Sequence, residues 1–437
     1  MSPPPDPSAI PPARPGHASG RGRRGRSRSG RGEWDVVVVG ARVAGASTAM
    51  LLARAGARVL LVDRARRGSD TLSTHALMRG GVLQLLRWGL LDRVTAGGTP
   101  PVRRVTFHYG GEPMPVSLKP YAGVEALYAP RRTVLDTVLA DAARDAGAEV
   151  RHGTAVTGLV AGDGGRVAGV TVRDGDGTLR AERARLVVGA DGRDSHVAAR
   201  VGARTLAAGA HAPAYLYGYW PGSGVDGYHW YYGDGMSAGV IPTDDGLACV
   251  FVGGPPHVIA AALRQHRPAE AQRGLLRRLD GTLDDLAAVP PAGPVRFFRG
   301  LPARLHRPHG PGWALVGDAG WWKDPLSTHG ITDALRDAEV LAAAVVAGAA
   351  SEVAGAAALA GYQAQRDAVA LAMHPVVDRL ASHEWDPAEA RGLLRELSSV
   401  MADEVEAIRR FDAPATPATP SLPALSPAFS GSVTRTA

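Results

Sequence analysis

The feature that most constrains this chain is the run Asp35-Val-Val-Val-Val39, which passes straight into Gly40-Ala-Arg-Val-Ala-Gly45. An unbroken apolar run of this kind predicts a strand buried on both faces, as in a parallel sheet. Beyond the glycines a helical pattern continues through Leu51-Leu52 and stops at Gly56, and Arg58-Val-Leu-Leu-Val62 predicts a second strand. Asp63 ends that strand 23 residues after Gly40. A βαβ dinucleotide unit carries at that distance the carboxylate that accepts the adenosine ribose hydroxyls. Strand, turn, helix and acid in register predict a dinucleotide site built on Gly40, Ala41, Arg42, Ala44, Gly45, Asp63 and Arg64. Arg42 stands where the second glycine of the fingerprint would let a pyrophosphate lie against bare backbone. Its N–H remains available, and its guanidinium can reach phosphate, solvent or the neighbouring pocket.

The rest of the composition limits the surroundings. Of the formal charge of +7, residues 1–32 carry seven arginines against Asp6, which is +6, leaving +1 for the other 405 residues. Pro, Gly, Ser and Arg dominate that segment, and Pro, Ala, Thr and Ser dominate 412–437, so both read as disordered tails. A basic tail without interleaved aromatic readers does not make a specific nucleic-acid surface. Cys249 is the single cysteine, no secretory apolar stretch appears in the first thirty residues, and no run of about 18 apolar residues occurs. The expectation is a cytoplasmic protein without a transmembrane segment. Its fourteen histidines are scattered and no metal-binding spacing is present, so no metal is expected.

Far downstream, Ala314-Leu-Val-Gly-Asp-Ala-Gly320 reads as a short strand ending in Gly-Asp, and Asp324-Pro-Leu-Ser-Thr-His-Gly-Ile331 leads into a long helix beginning near Thr332. A carboxylate on such a turn binds polyol hydroxyls, and the helix N-terminus stabilises an anionic ring. A flavin needs both; a nicotinamide dinucleotide needs neither.

With these residues the chain resembles the FAD-dependent class A aromatic hydroxylases, whose fold is that of para-hydroxybenzoate hydroxylase, with relatives among geranylgeranyl reductases and flavin halogenases. Four motifs over about residues 33–370 carry the resemblance: Gly40 to Gly45 with Asp63; Arg132-Thr-Val-Leu-Asp136; Val188-Gly-Ala-Asp-Gly192 with Ser195 and Val197; and Gly317-Asp318 with Pro325 and Gly330. The resemblance implies an α/β fold: a Rossmann-like FAD-binding domain with an inserted antiparallel-sheet substrate domain and C-terminal helices. It implies that Arg132 lies near the FAD phosphate and ribityl region, that Val156 meets the adenine through its backbone, and that Asp191 and Gly192 sit where FAD and the nicotinamide donor pass. It places Asp318 on the ribityl chain and the amides of Gly330 and Ile331 at the pyrimidine edge of the ring. Ser69-Asp-Thr-Leu-Ser-Thr-His75 runs beside the flavin in relatives, which makes His75 a candidate. Gly162-Asp-Gly-Gly165 reads as a hairpin and not a second dinucleotide loop, so NAD(P)H is expected to bind transiently at the FAD domain.

The expected boundaries are FAD-binding segments at 33–97, 131–204 and 301–348, cap and sheet segments at 98–130 and 205–300, and C-terminal helices at 349–411. Eight of the eighteen Trp and Tyr residues fall within 215–232. Alternation puts Tyr215, Tyr217 and Tyr219 on one face and Tyr228, Trp230 and Tyr232 on one face, in an antiparallel sheet continued by 236–242 and 247–252. That face is either sheet core or a wall beside a flat substrate. Tyr217, His229 and Tyr231 are candidates for a substrate base by neighbourhood alone. Lys323, one of two lysines, lies on the loop expected to face the flavin; it is an exposed or Asp-paired charge, or an ammonium near the ring. Halogenation fits poorly, because no lysine precedes Lys119. The expected function is NAD(P)H-consuming hydroxylation of an aromatic or apolar small molecule with O2 through a flavin C4a-hydroperoxide; the alternative is a geranylgeranyl reductase-like reduction of isoprenoid double bonds.

Overall fold

The four consecutive valines form the strand Trp34–Val39, fully buried at its centre, in a computed structural model that describes residues 33–222, 224–233 and 235–411. Both tails expected to be disordered lie outside the described residues. Trp34–Val39 pairs in parallel with Val59–Asp63 on one side and Leu179–Gly189 on the other, so Val37 sits between Leu60 and Val187. The sheet continues through Glu149–His152 at one edge and through Trp313–Leu315 and His309–Gly310 at the other. The hairpin strands Ala155–Ala161 and Val167–Arg173 extend it from Leu179–Gly189, and Asp163–Gly165 forms the tight connection between them. Helices Val43–Arg54 and Gly330–Ala347 pack on this sheet and on each other. The second begins at Gly330, two residues before the expected start.

A second sheet of seven strands runs, in order, Arg296–Phe298, Ala214–Pro221, Leu247–Gly254, Met236–Pro242, Tyr228–Gly233, Arg104–Tyr109 and Glu112–Ser117. The strands from Ala214–Pro221 to Leu247–Gly254 pair antiparallel as expected, and Arg104–Tyr109 is added in parallel to Tyr228–Gly233. Those strands are far apart in sequence, so no tight hairpin imposes an antiparallel pairing. Tyr215, Tyr217, Tyr228, Trp230, Tyr232 and Phe251 point into the core shared with Val36, Val38 and Leu61 of the first sheet. Leu216, Trp220, Tyr231 and Val250 point the other way, against the helices Pro256–Gln265 and Pro268–Leu279.

The chain ends, as described, in two helices, Glu352–Ala381 and Pro387–Arg409. Glu404 of the latter reaches His329 and Arg336 at the start of Gly330–Ala347. Among the described residues no helix is long and apolar enough to cross a membrane.

Candidate functional site

The glycine turn is held by contacts that no larger residue would allow. Gly40 has φ +105°, and a Cβ there would collide with the Ala190 carbonyl; a Cβ on Gly45 would collide with the Gly40 carbonyl oxygen. The helix can therefore start directly against the strand end, with its free N–H groups facing the turn. Asp63 is oriented at both carboxylate oxygens: Ala41 N–H donates to Oδ2 at 2.6 Å and Ala65 N–H to Oδ1 at 2.7 Å. A small open cleft lies beside it, lined by Ala41, Arg42, Asp63, Gly68, Asp136 and His152 among others. Val156 is not in that lining; nearby, Thr154 N–H donates to the Asp63 carbonyl. Arg64 is exposed at the rim.

Arg42 reaches away from the turn. Its guanidinium bonds Thr71 Oγ1 and lies 3.5 Å from the Asp70 carbonyl. Arg132 makes a two-pronged pair with Asp136, at 2.9 and 3.0 Å. Burial, then the neighbouring Arg132, lowers the Arg42 pKa, and burial raises that of Asp136 against the pull of Arg132. Two guanidinium groups beside one carboxyl leave a positive region next to the helix start, suited to a phosphate.

On the other side of that helix, Ala44 touches Gly317, where a Cβ would meet the Ala44 methyl at 2.9 Å. Gly317 has φ +58° and turns the chain into Asp318. The Asp318 carboxylate lies where a Cβ on Gly330 would be 3.7 Å from Oδ1, at the start of the helix carrying Ile331. It makes no hydrogen bond to any described residue, and burial raises its pKa. A half-buried acid beside a helix N-terminus, with no hydrogen-bond partner among the described residues, fits a ligand rich in hydroxyls. Pro325 opens the short turn Pro325–Ser327 between them.

Asp191 is committed to its own segment. It accepts from Ser195 Oγ at 2.5 Å, His196 N at 2.7 Å and Val197 N at 3.2 Å, capping the short helix that follows, while Gly192 turns the chain at φ +81°. His75, at φ +65°, is fully buried and bonds the Tyr219 hydroxyl through Nε2, with its ring stacked 5.7 Å from that of Tyr219. Burial, then Arg132 and Arg131, lowers its pKa to about 3, so it is neutral. Arg131 lies over the same Tyr219 ring at 4.6 Å. Tyr217 shares this face, and burial pushes its hydroxyl up to about 12. His229 and Tyr231 are corrected: they occupy the alternate positions of Tyr228–Gly233, with Tyr231 stacked 4.1 Å from His108 and His229 3.2 Å from it, away from Tyr217. Period-two alternation separates them.

Lys323 is buried and not exposed. It pairs with Asp333 and lies 3.8 Å from the centre of the Trp321 ring. Burial, then Arg336, lowers its pKa to about 7. The structure also gathers His329, Asp333 and Glu404, with ligand-type atoms within 4.8 Å of one another. No local spacing marks this grouping, since Glu404 arrives from the helix Pro387–Arg409. Arg336 already bonds Asp333 at 2.7 Å, Glu404 at 2.5 Å and Asp337 at 2.6 Å, so two cations occupy the place a metal would take.

The family described as "FAD binding domain" matches residues 33–376. Aklavinone 12-hydroxylase DnrF of Streptomyces peucetius is 33% identical over 198 residues, covering 38% of this chain and 37% of that protein. This chain thus aligns with well under half the length of that hydroxylase. Digeranylgeranylglycerophospholipid reductase of Methanocella arvoryzae is 29% identical over 329 residues, 70% of this chain and 76% of the reductase. Among solved structures, Pseudomonas aeruginosa PqsL in complex with 2-aminobenzoylacetate superposes with a TM-score of 0.72 at 25% identity, over 83% of this chain and 100% of PqsL. A geranylgeranyl bacteriochlorophyll reductase-like protein of Thermoplasma acidophilum gives a TM-score of 0.65 at 20% identity, over 86% of this chain and 99% of that one, a likeness of fold. The cofactor expected from the motifs is that of the matched family, and the expected fold is that of the superposed structures.

Proposed function

The chain belongs to the FAD-binding domain family and is a flavin-dependent oxidoreductase, and from that premise we propose that it hydroxylates an aromatic small molecule using NAD(P)H and O2. The observation that carries this reading is the shared core: the aromatic face of the second sheet, Tyr215, Tyr217, Trp230 and Phe251, belongs to the same buried cluster as Val36, Val38 and Leu61 of the dinucleotide sheet. Bound FAD supplies hydride acceptance from NAD(P)H and electron delivery to O2. The other contributions belong to the chain. Gly40, Ala41, Ala44 and Gly45 present backbone to the pyrophosphate, Asp63, with Arg64 and Val156 nearby, holds the adenosine end, and Arg42 and Arg132 add positive charge between them. Asp318 holds the ribityl hydroxyls. The N–H groups at Gly330 and Ile331, after Pro325, stabilise negative charge on the ring. Asp191 and Gly192 shape the passage for the nicotinamide donor. Neutral His75 holds the Tyr219 hydroxyl through Nε2 and leaves Nδ1 without a hydrogen bond. Lys323 places an ammonium behind the Asp318 turn, and Tyr217 stays protonated and donates. The aromatic wall excludes water, which a hydroxylase needs to avoid wasting reducing equivalents.

A reductase of isoprenoid double bonds is the second reading, favoured by the length of the reductase alignments, which reach 336 residues. Turnover with ¹⁸O2 separates them. Label in the product, with NAD(P)H oxidation stimulated by substrate, supports hydroxylation; a product two hydrogens heavier, formed under argon, replaces it with the reductase.

A further inference from the structure

One row across the second sheet places Tyr232 opposite Ser237, Ser237 opposite Gly253, Gly253 opposite Tyr215, and Tyr215 opposite Phe298. A Cβ on Gly253 would run into the Tyr215 ring, so that ring lies across the bare backbone. From there the Tyr215 hydroxyl donates to Asp324 Oδ1 at 2.5 Å. The link between the last two helices covers the same row: His383 lies 6.5 Å from the Tyr215 ring and 5.3 Å from Trp385, and Trp385 lies 5.9 Å from Tyr232. His383 holds φ +56°, an uncommon backbone state for a histidine.

Within this aromatic enclosure, polar atoms go unpaired. Ser237 Oγ, Asp324 Oδ2 and one ring nitrogen of His383 are left without a hydrogen bond, although these residues are 0%, 3% and 4% exposed. The one polar contact of the His383 ring is the Gly235 backbone. Each unpaired buried polar group costs about 1–3 kcal/mol, and such groups in a native structure call for an explanation. Three of them on three separate elements, facing one aromatic row, are explained together by a ligand that bonds them.

We propose that Ser237, Asp324 and His383 form the recognition site for a hydroxyl or carbonyl group on a neutral, planar aromatic substrate, an inference that rests on the hydroxylase reading. The chemistry of the groups selects this class. Among the described residues no ion pair involves Asp324 or His383, and the cation on this row, Arg193, lies over the Phe298 ring at 4.8 Å and not against Asp324, so a carboxylate substrate would enter beside a carboxyl group without a cation paired to it. An isoprenoid chain would bury apolar surface there and leave every orphan atom unpaired. A ring hydroxyl both donates and accepts. So does a serine hydroxyl, and the free nitrogen of a neutral imidazole does one of the two. Burial supports the assignment by holding His383 near pKa 4, hence neutral, and Asp324 near 7, hence able to donate from Oδ2 when protonated. His383 lies beyond residue 376, where the family match ends, so this part of the site would distinguish the chain from its relatives.

The test titrates 2-naphthol into the FAD-loaded protein, following the flavin absorbance, with 2-naphthoate and geranylgeraniol as comparators. Saturable binding of 2-naphthol, at least about tenfold tighter than either comparator and weakened about tenfold in both His383→Phe and Ser237→Ala, supports the site. Ser237→Ala removes an unpaired hydroxyl, so its thermal midpoint should stay level or rise while binding falls. A fall in midpoint with unchanged binding would mean a structural role and overturns the proposal, as does failure of 2-naphthol to bind or equal binding of the comparators. The ¹⁸O2 experiment fails independently: variants that lose 2-naphthol in an enzyme that inserts no label keep the site and sink the hydroxylase reading, and label with intact variant binding does the reverse.

Discussion

Two sets of polar side chains, one at the end of the first sheet and one over the second, are treated in opposite ways. At the first, two carboxylates are oriented by the backbone: Asp63 accepts from Ala41 and Ala65, and Asp191 from His196 and Val197. Over the second, Ser237, Asp324 and His383 hold buried atoms that bond nothing. A cofactor of constant shape can be met by a turn whose geometry is complete in advance, and such a turn is written locally. A substrate pocket must keep hydrogen-bonding capacity in reserve, and that reserve costs stability in the empty protein. Asp318, without a protein partner though it belongs to the first sheet's side, marks where the two styles meet.

The sharpest way to break this contrast is a paired glycine substitution. Gly45→Ala should yield colourless protein with FAD affinity down about a hundredfold or more, close to 3 kcal/mol, because its Cβ collides with the Gly40 carbonyl. Gly239→Ala, whose Cβ would press on the Phe251 and Trp230 rings, should keep FAD and lower stability by about 1–3 kcal/mol. Flavin content and thermal unfolding of both proteins check this, and equal flavin loss in the two would erase the distinction.

Asp318→Ala should weaken FAD roughly tenfold or more, from the loss of charged hydrogen bonds of about 1.5–3 kcal/mol each. Since no described residue bonds that carboxylate, the apoprotein should be no less stable. Flavin titration beside apoprotein melting reads both quantities, and unchanged affinity would remove Asp318 from the site.

Acid sensitivity should map to the roof of the second sheet. Burial depresses the His383 pKa from 6.5 to about 4, so between those values the unfolded chain binds the additional proton and stability falls as pH falls. Asp324, raised to about 7 by burial, acts in the opposite sense above its ordinary pKa, but it does so equally in wild type and variant. Unfolding measured across pH 6.5 to 4 should therefore show wild type losing about 1.4 kcal/mol per pH unit more than His383→Phe; parallel curves would mean His383 is not held neutral.

The smallest effect is expected at Ser195, whose Oγ bonds Asp191 and accepts from Ala198 N–H at 2.9 Å. Ser195→Ala should cost about 1 kcal/mol of stability, as for a lost helix cap, with FAD content unchanged. A large drop in flavin would show that the Asp191 cap is part of the cofactor passage.

What the sequence determined by itself is the dinucleotide half. Asp35 to Val39, Gly40, Gly45, Asp63 and the Gly317-Asp318 turn specify strand, turn and helix through contacts within short stretches, and those segments fold as their residues require. Alternation likewise sorted Tyr215, Tyr217, Trp230 and Tyr232 onto one face, since period two is a property of the strand alone. Which neighbours that face would meet was not in the pattern. The parallel pairing of Arg104–Tyr109 with Tyr228–Gly233, the burial of Lys323 against Asp333, the arrival of Glu404 at His329, and His383 over Tyr215 join residues from distant parts of the chain. Nothing local marks them, because their partners are chosen only when helices and sheets pack, and that packing is what decides which polar atoms are satisfied and which are left for a ligand.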